Sequence, residues 1–300
     1  MPPVAKLSEM RSLIKVITRG LQRKRWLLMR RSMQMFILLA FLLSLPWLGR
    51  IADGNLSSSL WFGKLALTDP FILLQSLFAG ASIATTALVG SVLVAGFYAI
   101  FGGRIYCSWV CPINMLTDAA YWLRQRFNIK SNLTLSRELR KAILLLALLL
   151  SFIAGTLAWE LINPITMFQR ELMWVSFSGA TLLGSLFLFD LLVSRRGWCG
   201  HLCPVGAFYG LLGKFGRLRI SKSQSGSCSG SSCAACVKAC PEPHVLAPVV
   251  SEQALTVTSG DCTRCGACLD ACPGNALSMK LDLSTGQKFK GINVVTKPKN

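Results

Sequence analysis

Four apolar runs dominate the hydrophobicity pattern of the first two thirds of the chain. They cover residues 32–48, 71–101, 142–159 and 172–193, and polar or basic segments separate them. A helix needs about 20 apolar residues to cross the hydrocarbon of a bilayer, where backbone groups find no other partner. The pattern therefore predicts four transmembrane helices. The first is expected to stay uncleaved, since no small-x-small site precedes residue 49.

The last third of the chain has a different pattern. Residues 254–258 and 276–281 alternate between apolar and polar positions, which is typical of short strands. The predicted fold class is a membrane α-helical protein, with four transmembrane helices followed by a C-terminal cytoplasmic α+β domain of the bacterial-ferredoxin type. Its divisions are a basic N-terminal segment (1–31), the membrane domain (32–222), the ferredoxin-like domain (223–283) and a tail (284–300).

Composition agrees with a membrane protein that carries a small polar domain. The 300 residues are 52% hydrophobic and have a mean hydropathy of +0.50. The net charge of +19 is high enough to suggest nucleic acid, but residues 228–272 contain more acidic than basic side chains. The positive charge therefore flanks the apolar runs, and no nucleic-acid partner is predicted. Leucine and isoleucine at helical spacing within 1–31 favour either an amphipathic helix on a lipid surface or a solvated basic tail.

The distribution of lysine and arginine predicts the orientation of the four helices. These residues number nine in 1–31, seven in 102–141 and six in 194–222, against two in 50–70 and one in 160–172. Cytoplasmic segments carry the excess of positive charge in membrane proteins. Both termini and all the cysteines are therefore expected on the cytoplasmic side of a bacterial inner membrane.

Eight of the 12 cysteines lie in two runs near the C-terminus. The second run has the spacing C-x2-C-x2-C-x3-C-P, with Cys262, Cys265, Cys268 and Cys272. The first run differs in having four residues between its first two cysteines, and it contains Cys228, Cys233, Cys236 and Cys240. This spacing is typical of two-cluster ferredoxins, in which the fourth cysteine of each run ligates the other cluster.

The spacing therefore predicts two [4Fe-4S] clusters with crossed ligands. One is assigned to Cys228, Cys233, Cys236 and Cys272, and the other to Cys262, Cys265, Cys268 and Cys240. Cys228 is the ligand least defined by the pattern. Structural zinc and disulfides are the alternatives, but zinc has no need of a third cysteine plus Cys-Pro in each run, and cytoplasmic thiols stay reduced.

The remaining four cysteines form a repeat. Each copy has an arginine, two further residues and then C-x3-C-P, and the copies contain Cys107 and Cys111, and Cys199 and Cys203. Thiols at positions i and i+4 share one face of a helical turn, so two such pairs could supply four ligands to one further metal centre. A packing corner and a redox-active thiol site are the alternatives. His201 and His244 are not predicted as ligands.

Glu160 is the candidate proton acceptor for a quinol. It follows Trp159 at the end of the third apolar run, where a carboxylate could accept a proton and release it outward. The alternative is an ordinary carboxylate and tryptophan at a membrane interface.

Together these motifs resemble the NapH family, the ferredoxin-type membrane components of the quinol dehydrogenase of periplasmic nitrate reductase. The resemblance is carried by C-S-W-V-C-P at 107–112, C-G-H-L-C-P at 199–204, the two cluster runs, and segments 54–60, 159–164 and 240–246. It implies oxidation of ubiquinol or menaquinol with a periplasmic iron–sulfur partner of the NapG type, and onward transfer of electrons to periplasmic nitrate reductase. An accessory role in metallocentre assembly or redox regulation, as in the NosR and CcoG proteins, is the alternative.

Overall fold

The computed structural model describes residues 24–43, 52–131, 133, 135–174, 179–223, 228, 233–251 and 253–282. Most of the basic N-terminal segment, up to residue 23, and the tail at 284–300 lie outside these ranges, so the amphipathic helix expected there stays a prediction. The helices are α1 Arg25–Leu42, α2 Pro70–Phe78, α3 Thr85–Phe101, α4 Ile105–Trp109, α5 Ile113–Arg126, α6 Glu138–Ala154, α7 Pro164–Trp174, α8 Ala180–Leu188, α9 Pro204–Leu212, α10 Ala235–Ala239, α11 Ala247–Val250 and α12 Ala267–Asp270.

Two small antiparallel sheets accompany the helices. The first is a three-stranded meander of β1 Ala52–Gly54, β2 Ser58–Trp61 and β3 Leu65–Thr68. It occupies a segment that the hydrophobicity pattern assigned to a connecting loop. The second pairs β4 Leu218–Lys222 with β5 Leu277–Leu281, and segment 254–258 adds a single bridge from Thr256 to Ser221. The strand predicted at 276–281 is thus confirmed.

The prediction of four transmembrane helices is wrong. Within the described residues, no helix is both long enough and apolar enough to cross a membrane. The run at 71–101 is divided between α2 and α3, because the chain turns at Gly80 with a left-handed φ of 70°. The multi-pass topology and the cytoplasmic orientation drawn from the four helices therefore have no support in the structure.

Two of the other three runs are also interrupted. Residues 142–154 belong to α6, which starts on charged residues and ends before Gly155, where φ is 62°, so residues 155–159 lie outside the helix. The run at 172–193 is shared among the end of α7, α8 and a π-helical turn at Phe189–Val193. The run at 32–48 lies partly in α1, whose first turns carry three arginines, and residues 44–48 lie outside the described ranges.

The main core lies between α2, α3, α6 and α9 and the two C-x3-C-P segments. Its centre is aromatic: the Tyr106 and Tyr209 rings stack with centroids 4.8 Å apart, and Tyr98 packs edge-on against both. A second core surrounds the cluster runs and contains Ile220, Leu246 and several of the cysteines. The fold thus places the two kinds of cysteine motif in adjoining cores.

Candidate iron–sulfur site and the paired cysteine motifs

Four thiols of the cluster runs line one small internal cavity. They are Cys240, Cys262, Cys265 and Cys268, and each residue is less than a tenth exposed. Apolar side chains of β4 and of the turn before α11 form the opposite wall. This is the set of four that the crossed assignment predicts for the cluster of the second run.

The chemistry of this donor set fits a [4Fe-4S] cluster. Burial raises the pKa of the Cys240, Cys262 and Cys268 thiols, and the neighbouring Cys265 raises each of them further. Thiolates packed this closely need positive charge beside them, which iron supplies. Across the described residues, no three His, Cys, Asp or Glu side chains converge closely enough to hold a single metal ion. The agreement with a [4Fe-4S] cluster therefore rests on the type, number and burial of the thiol donors.

The other predicted set is less enclosed. Burial raises the pKa of Cys236, and the thiols of Cys272 and Cys228 add to the rise, so each of these two side chains lies near Cys236. Cys228 and Cys233 are exposed, and the four residues between them lie outside the described ranges. This set thus has three neighbouring thiols from both cysteine runs.

The two cluster runs share a local backbone conformation. Ala234 and Gly266 occupy equivalent positions between the second and third cysteines, and their φ angles are 43° and 73°. Each residue precedes a short helix, α10 or α12, that carries the third cysteine. Glycine adopts this left-handed region without strain, whereas alanine does not. Gly266 has a second reason to be glycine, because a Cβ there would lie 2.4 Å from the Trp26 ring of α1.

The four thiols of the C-x3-C-P motifs come together in the main core. Cys111 and Cys203 are buried and Cys107 and Cys199 are partly buried. Burial raises the pKa of Cys203 to about 12, and the neighbouring Cys107 contributes to that rise. Burial also raises the pKa of Cys199 well above its usual range, and the other three thiols each contribute. The repeat seen in the sequence therefore brings four thiols into one core.

The arginine that opens each C-x3-C-P repeat forms a buried ion pair. Arg104 donates to Glu242 at 2.9 Å and to the Cys199 carbonyl at 3.0 Å. Arg196 pairs with Asp118 on α5 at 2.5 Å. The arginine therefore anchors each motif, and Arg104 also joins the two motifs to each other.

The two cysteine sites adjoin one another. The Ser108 hydroxyl donates to the Thr263 carbonyl at 2.7 Å, and the Trp109 indole donates to the Arg264 carbonyl at 3.2 Å. A small cavity between the sites is lined by thiols of both kinds, namely Cys107, Cys199 and Cys265. The first C-x3-C-P motif thus packs directly on the second cluster run.

Glu160 lies on the wall of a separate, more open cavity. Its Oε1 accepts hydrogen bonds from the Ser57 hydroxyl at 3.2 Å and from the Asn163 amide at 2.8 Å.

His244 lies between Glu242 and Asp261, at 3.6 and 3.4 Å. Burial lowers the pKa of His201.

The sequence analysis missed an apolar cavity of about 420 Å³. It lies between the β-meander, α1, α3 and α9, and Tyr98, Tyr106 and Tyr209 form part of its wall. Asp69 is its only acidic lining residue among those described, and its Oδ1 accepts hydrogen bonds from the Phe71 backbone at 2.9 Å and the Tyr209 hydroxyl at 3.0 Å. In the sequence, Asp69 before Pro70 indicates only a helix N-cap.

Comparison with known proteins shows which family carries this arrangement. The chain is 68% identical over 94% of its length to the methylamine utilization ferredoxin-type protein MauN of Methylobacillus flagellatus, and the match covers 98% of that protein. It is 48% identical over 88% of its length to the ferredoxin-type protein NapH of Escherichia coli, covering 92% of that protein. The chain belongs to the ferredoxin-type protein family that includes NapH and MauN. The resemblance found in the sequence is thus confirmed.

Family models match the chain in two places. One described as a 4Fe-4S binding domain matches residues 83–130 and 172–223, which contain the two C-x3-C-P motifs. Another 4Fe-4S binding domain matches residues 255–278, which contain the second cluster run. No solved structure gives a significant match. This ferredoxin-type protein is therefore an iron–sulfur electron-transfer protein with 4Fe-4S binding domains.

Proposed function

We propose that this ferredoxin-type protein takes electrons from a quinol and passes them through two [4Fe-4S] clusters to an iron–sulfur partner. The observation that carries the proposal is the enclosed cavity lined by Cys240, Cys262, Cys265 and Cys268. A quinol gives up two electrons, whereas each cluster accepts one at a time, so two clusters match the stoichiometry of the donor. The second cluster is assigned to Cys228, Cys233, Cys236 and Cys272.

The residues around the thiols hold the ligands and keep water away. Arg264 donates to the Cys262 carbonyl at 3.1 Å and is itself only 3% exposed, which fixes the loop that carries two of the thiols. The Asp270 carboxylate accepts from the backbone of Trp26 at 3.1 Å, so α1 begins against the second run. Bound clusters would supply the one-electron chemistry, and these side chains would keep their ligands in place.

Contact with a membrane is part of the proposal, because quinols dissolve in lipid. Exposed apolar side chains form a continuous stripe on α3, including Val89, Val92 and Phe97, and another on α6. Apolar patches of this kind mark surfaces that contact a partner or a membrane. We propose contact with the bacterial inner membrane only, not the four crossings or the sidedness inferred from them.

Two pathways are candidates for the electrons. The NapH resemblance favours a NapG-type periplasmic iron–sulfur protein and, through it, periplasmic nitrate reductase. The higher identity to MauN, a methylamine utilization protein by name, favours a redox partner in methylamine utilization instead. Expression of the chain in two hosts, one lacking its own NapH and one lacking its own MauN, distinguishes these pathways. We expect restored growth on methylamine, and restored nitrate respiration alone would assign it to the nitrate pathway.

We propose that Cys107, Cys111, Cys199 and Cys203 form a further redox site between the quinol and the clusters. Their proximity to one another and to Cys265 supports this role. The 4Fe-4S binding model that covers both motifs also supports it.

Anaerobic reduction of the purified protein tests the proposed function. Quinol is added while electron paramagnetic resonance follows the clusters, with and without the iron–sulfur partner. We expect signals of reduced [4Fe-4S] centres that grow with quinol and decrease when the partner is added. Clusters that remain oxidised, with no quinol consumed, would contradict the proposal and favour metallocentre assembly or redox regulation.

A further inference from the structure

The apolar cavity beside Asp69 has the size and lining of a site for a lipophilic ring. Its volume of about 420 Å³ falls within the range of roughly 300–1,000 Å³ that is usual for small-molecule sites. Its walls are aliphatic and aromatic, and its polar lining groups are few. Such sites bind a flat apolar ligand and orient it through a few polar atoms.

The cavity opens beside the apolar stripe of α3. Leu93 and Phe97 line the cavity, yet each remains more than half exposed. Phe62 and Leu65 add exposed apolar surface on the β-meander nearby. A ligand with a hydrocarbon tail could therefore place its ring inside and leave the tail along this surface.

Asp69 supplies a proton acceptor on the cavity wall. The hydrogen bonds to its Oδ1 leave Oδ2 without a partner among the described residues. Burial raises the pKa of Asp69 to about 6, against the lowering effect of these two hydrogen bonds, and the charge of Glu160 raises it slightly more. Tyr98, Tyr106 and Tyr209 are the other ionisable groups facing it. A carboxylate with this pKa can both take and release a proton near neutral pH.

A second carboxylate, that of Glu160, lies near Asp69 and lines the open cavity. The Ser57 carbonyl accepts from the Asp69 backbone N–H at 2.8 Å, and the Ser57 hydroxyl donates to Glu160 at 3.2 Å. Glu160 lines the open cavity with Asn55 and Arg170. Glu160 is thus linked to the Asp69 backbone through Ser57, on the wall of the open cavity.

The first C-x3-C-P motif adjoins the cavity. Tyr106 and Val110, which line it, belong to the segment that carries Cys107 and Cys111. A donor bound in the cavity would therefore be close to the first C-x3-C-P motif, which packs on the second cluster run.

We propose that this cavity binds the ring of a hydroquinone and that Asp69 accepts a proton from its hydroxyl group. Oxidation breaks both O–H bonds of the hydroquinone, forms the quinone, and releases two protons and two electrons. Oδ2 of Asp69 takes one proton, releases it to water, and is then free for the second. The electrons go one each to the two iron–sulfur clusters of the proposed function, on which this inference rests.

Cavity-filling variants test the binding part of the inference. Val94 lines the cavity, whereas Val193 lies outside both the cavity and the α3 stripe and is 37% exposed. In the cluster-loaded protein, we expect Val94→Phe to weaken binding of decyl-ubiquinol at least about tenfold by calorimetry, because the ring and the new side chain compete for one space. Val193→Phe is expected to bind like the wild type. Equal binding by both variants would overturn the assignment of the cavity.

Asp69→Asn tests the proton acceptor. We expect kcat for quinol oxidation to fall about 100-fold or more, with binding of decyl-ubiquinol changed less than about threefold. The decline of kcat/KM below pH about 6 in the wild type is expected to disappear in the variant. Glu138→Gln, at an exposed carboxylate of α6, is the matched control and should behave like the wild type.

Failure of the role proposed for Asp69 and failure of the proposed function give different results. A wild type that oxidises quinol, with Asp69→Asn unimpaired, would overturn the role of Asp69 and leave the proposed function standing. A cluster-loaded wild type that neither binds nor oxidises quinol would overturn both.

Discussion

Cys240 and Cys272 each end one cluster run but lie among thiols of the other run. Cys240 lines the cavity with the three leading cysteines of the second run, and Cys272 lies near Cys236 of the first run. In the crossed assignment each run contributes to both clusters, so the two clusters would be linked mechanically.

We predict that loss of a fourth cysteine removes the cluster of the opposite run. Cys240→Ala should give the same paramagnetic spectrum as Cys262→Ala, and Cys272→Ala the same spectrum as Cys236→Ala. Each variant should retain about half the wild-type iron, because one four-iron cluster remains. A Cys240→Ala spectrum that matches Cys236→Ala would show that each run instead binds its own cluster.

Buried ion pairs join the elements of the main core to the cluster runs. Arg104, between α3 and α4, and Arg140, on α6, both approach Glu242 and Asp261. Burial alone would raise the pKa of Asp261, but the hydrogen bond from His244 and the arginine charges lower it far below its usual range. Asp261 therefore remains charged, and its ion pair with Arg140 joins α6 to the second cluster run.

We predict that Arg104→Met destabilises the protein by about 3–5 kcal/mol, because Glu242 is left buried beside a weaker partner. Denaturant unfolding followed by circular dichroism measures the change. Lys141→Met, in an exposed pair with Glu138, should cost less than about 0.5 kcal/mol. Adding Glu242→Leu to Arg104→Met should restore part of the loss. Equal effects of Arg104→Met and Lys141→Met would show that the buried pair is not needed.

Part of this structure could be predicted from local patterns in the sequence. The ligand spacing and the repeated C-x3-C-P motif predict the cysteine sets, and the alternation of apolar and polar positions predicts β5. The Arg104–Glu242 pair joins residues 138 positions apart, which no local pattern records. An average hydropathy does not register a single residue that ends a helix, such as Gly80 or Gly155. The averages therefore predict four long helices where the structure has shorter ones. Asp69 was overlooked because a capping aspartate and a proton acceptor look alike in sequence.

The surface of the whole molecule combines apolar helix faces with a large positive charge. Val89 and Val92 are 59% and 62% exposed on α3, beside the mouth of the apolar cavity. The net charge of +19 would itself attract the chain to anionic lipid. A test of apolar contact must therefore remove the electrostatic attraction between the protein and the lipid. Neutral phosphatidylcholine vesicles in 1 M salt do this, because charges are then screened within about 3 Å.

We predict that the wild-type protein floats with such vesicles and that the double variant Val89→Asp, Val92→Asp partitions at least about tenfold less. Burying one valine side chain contributes about 1.5–3 kcal/mol, so two lost contacts exceed the 1.4 kcal/mol that a tenfold change requires. Gln125→Asp with Asn128→Asp adds the same charge to an exposed polar segment and should leave flotation unchanged. Equal flotation of all three proteins would show that the α3 stripe does not contact lipid. A hydroquinone would then have to reach the cavity by another route than the one beside Leu93 and Phe97.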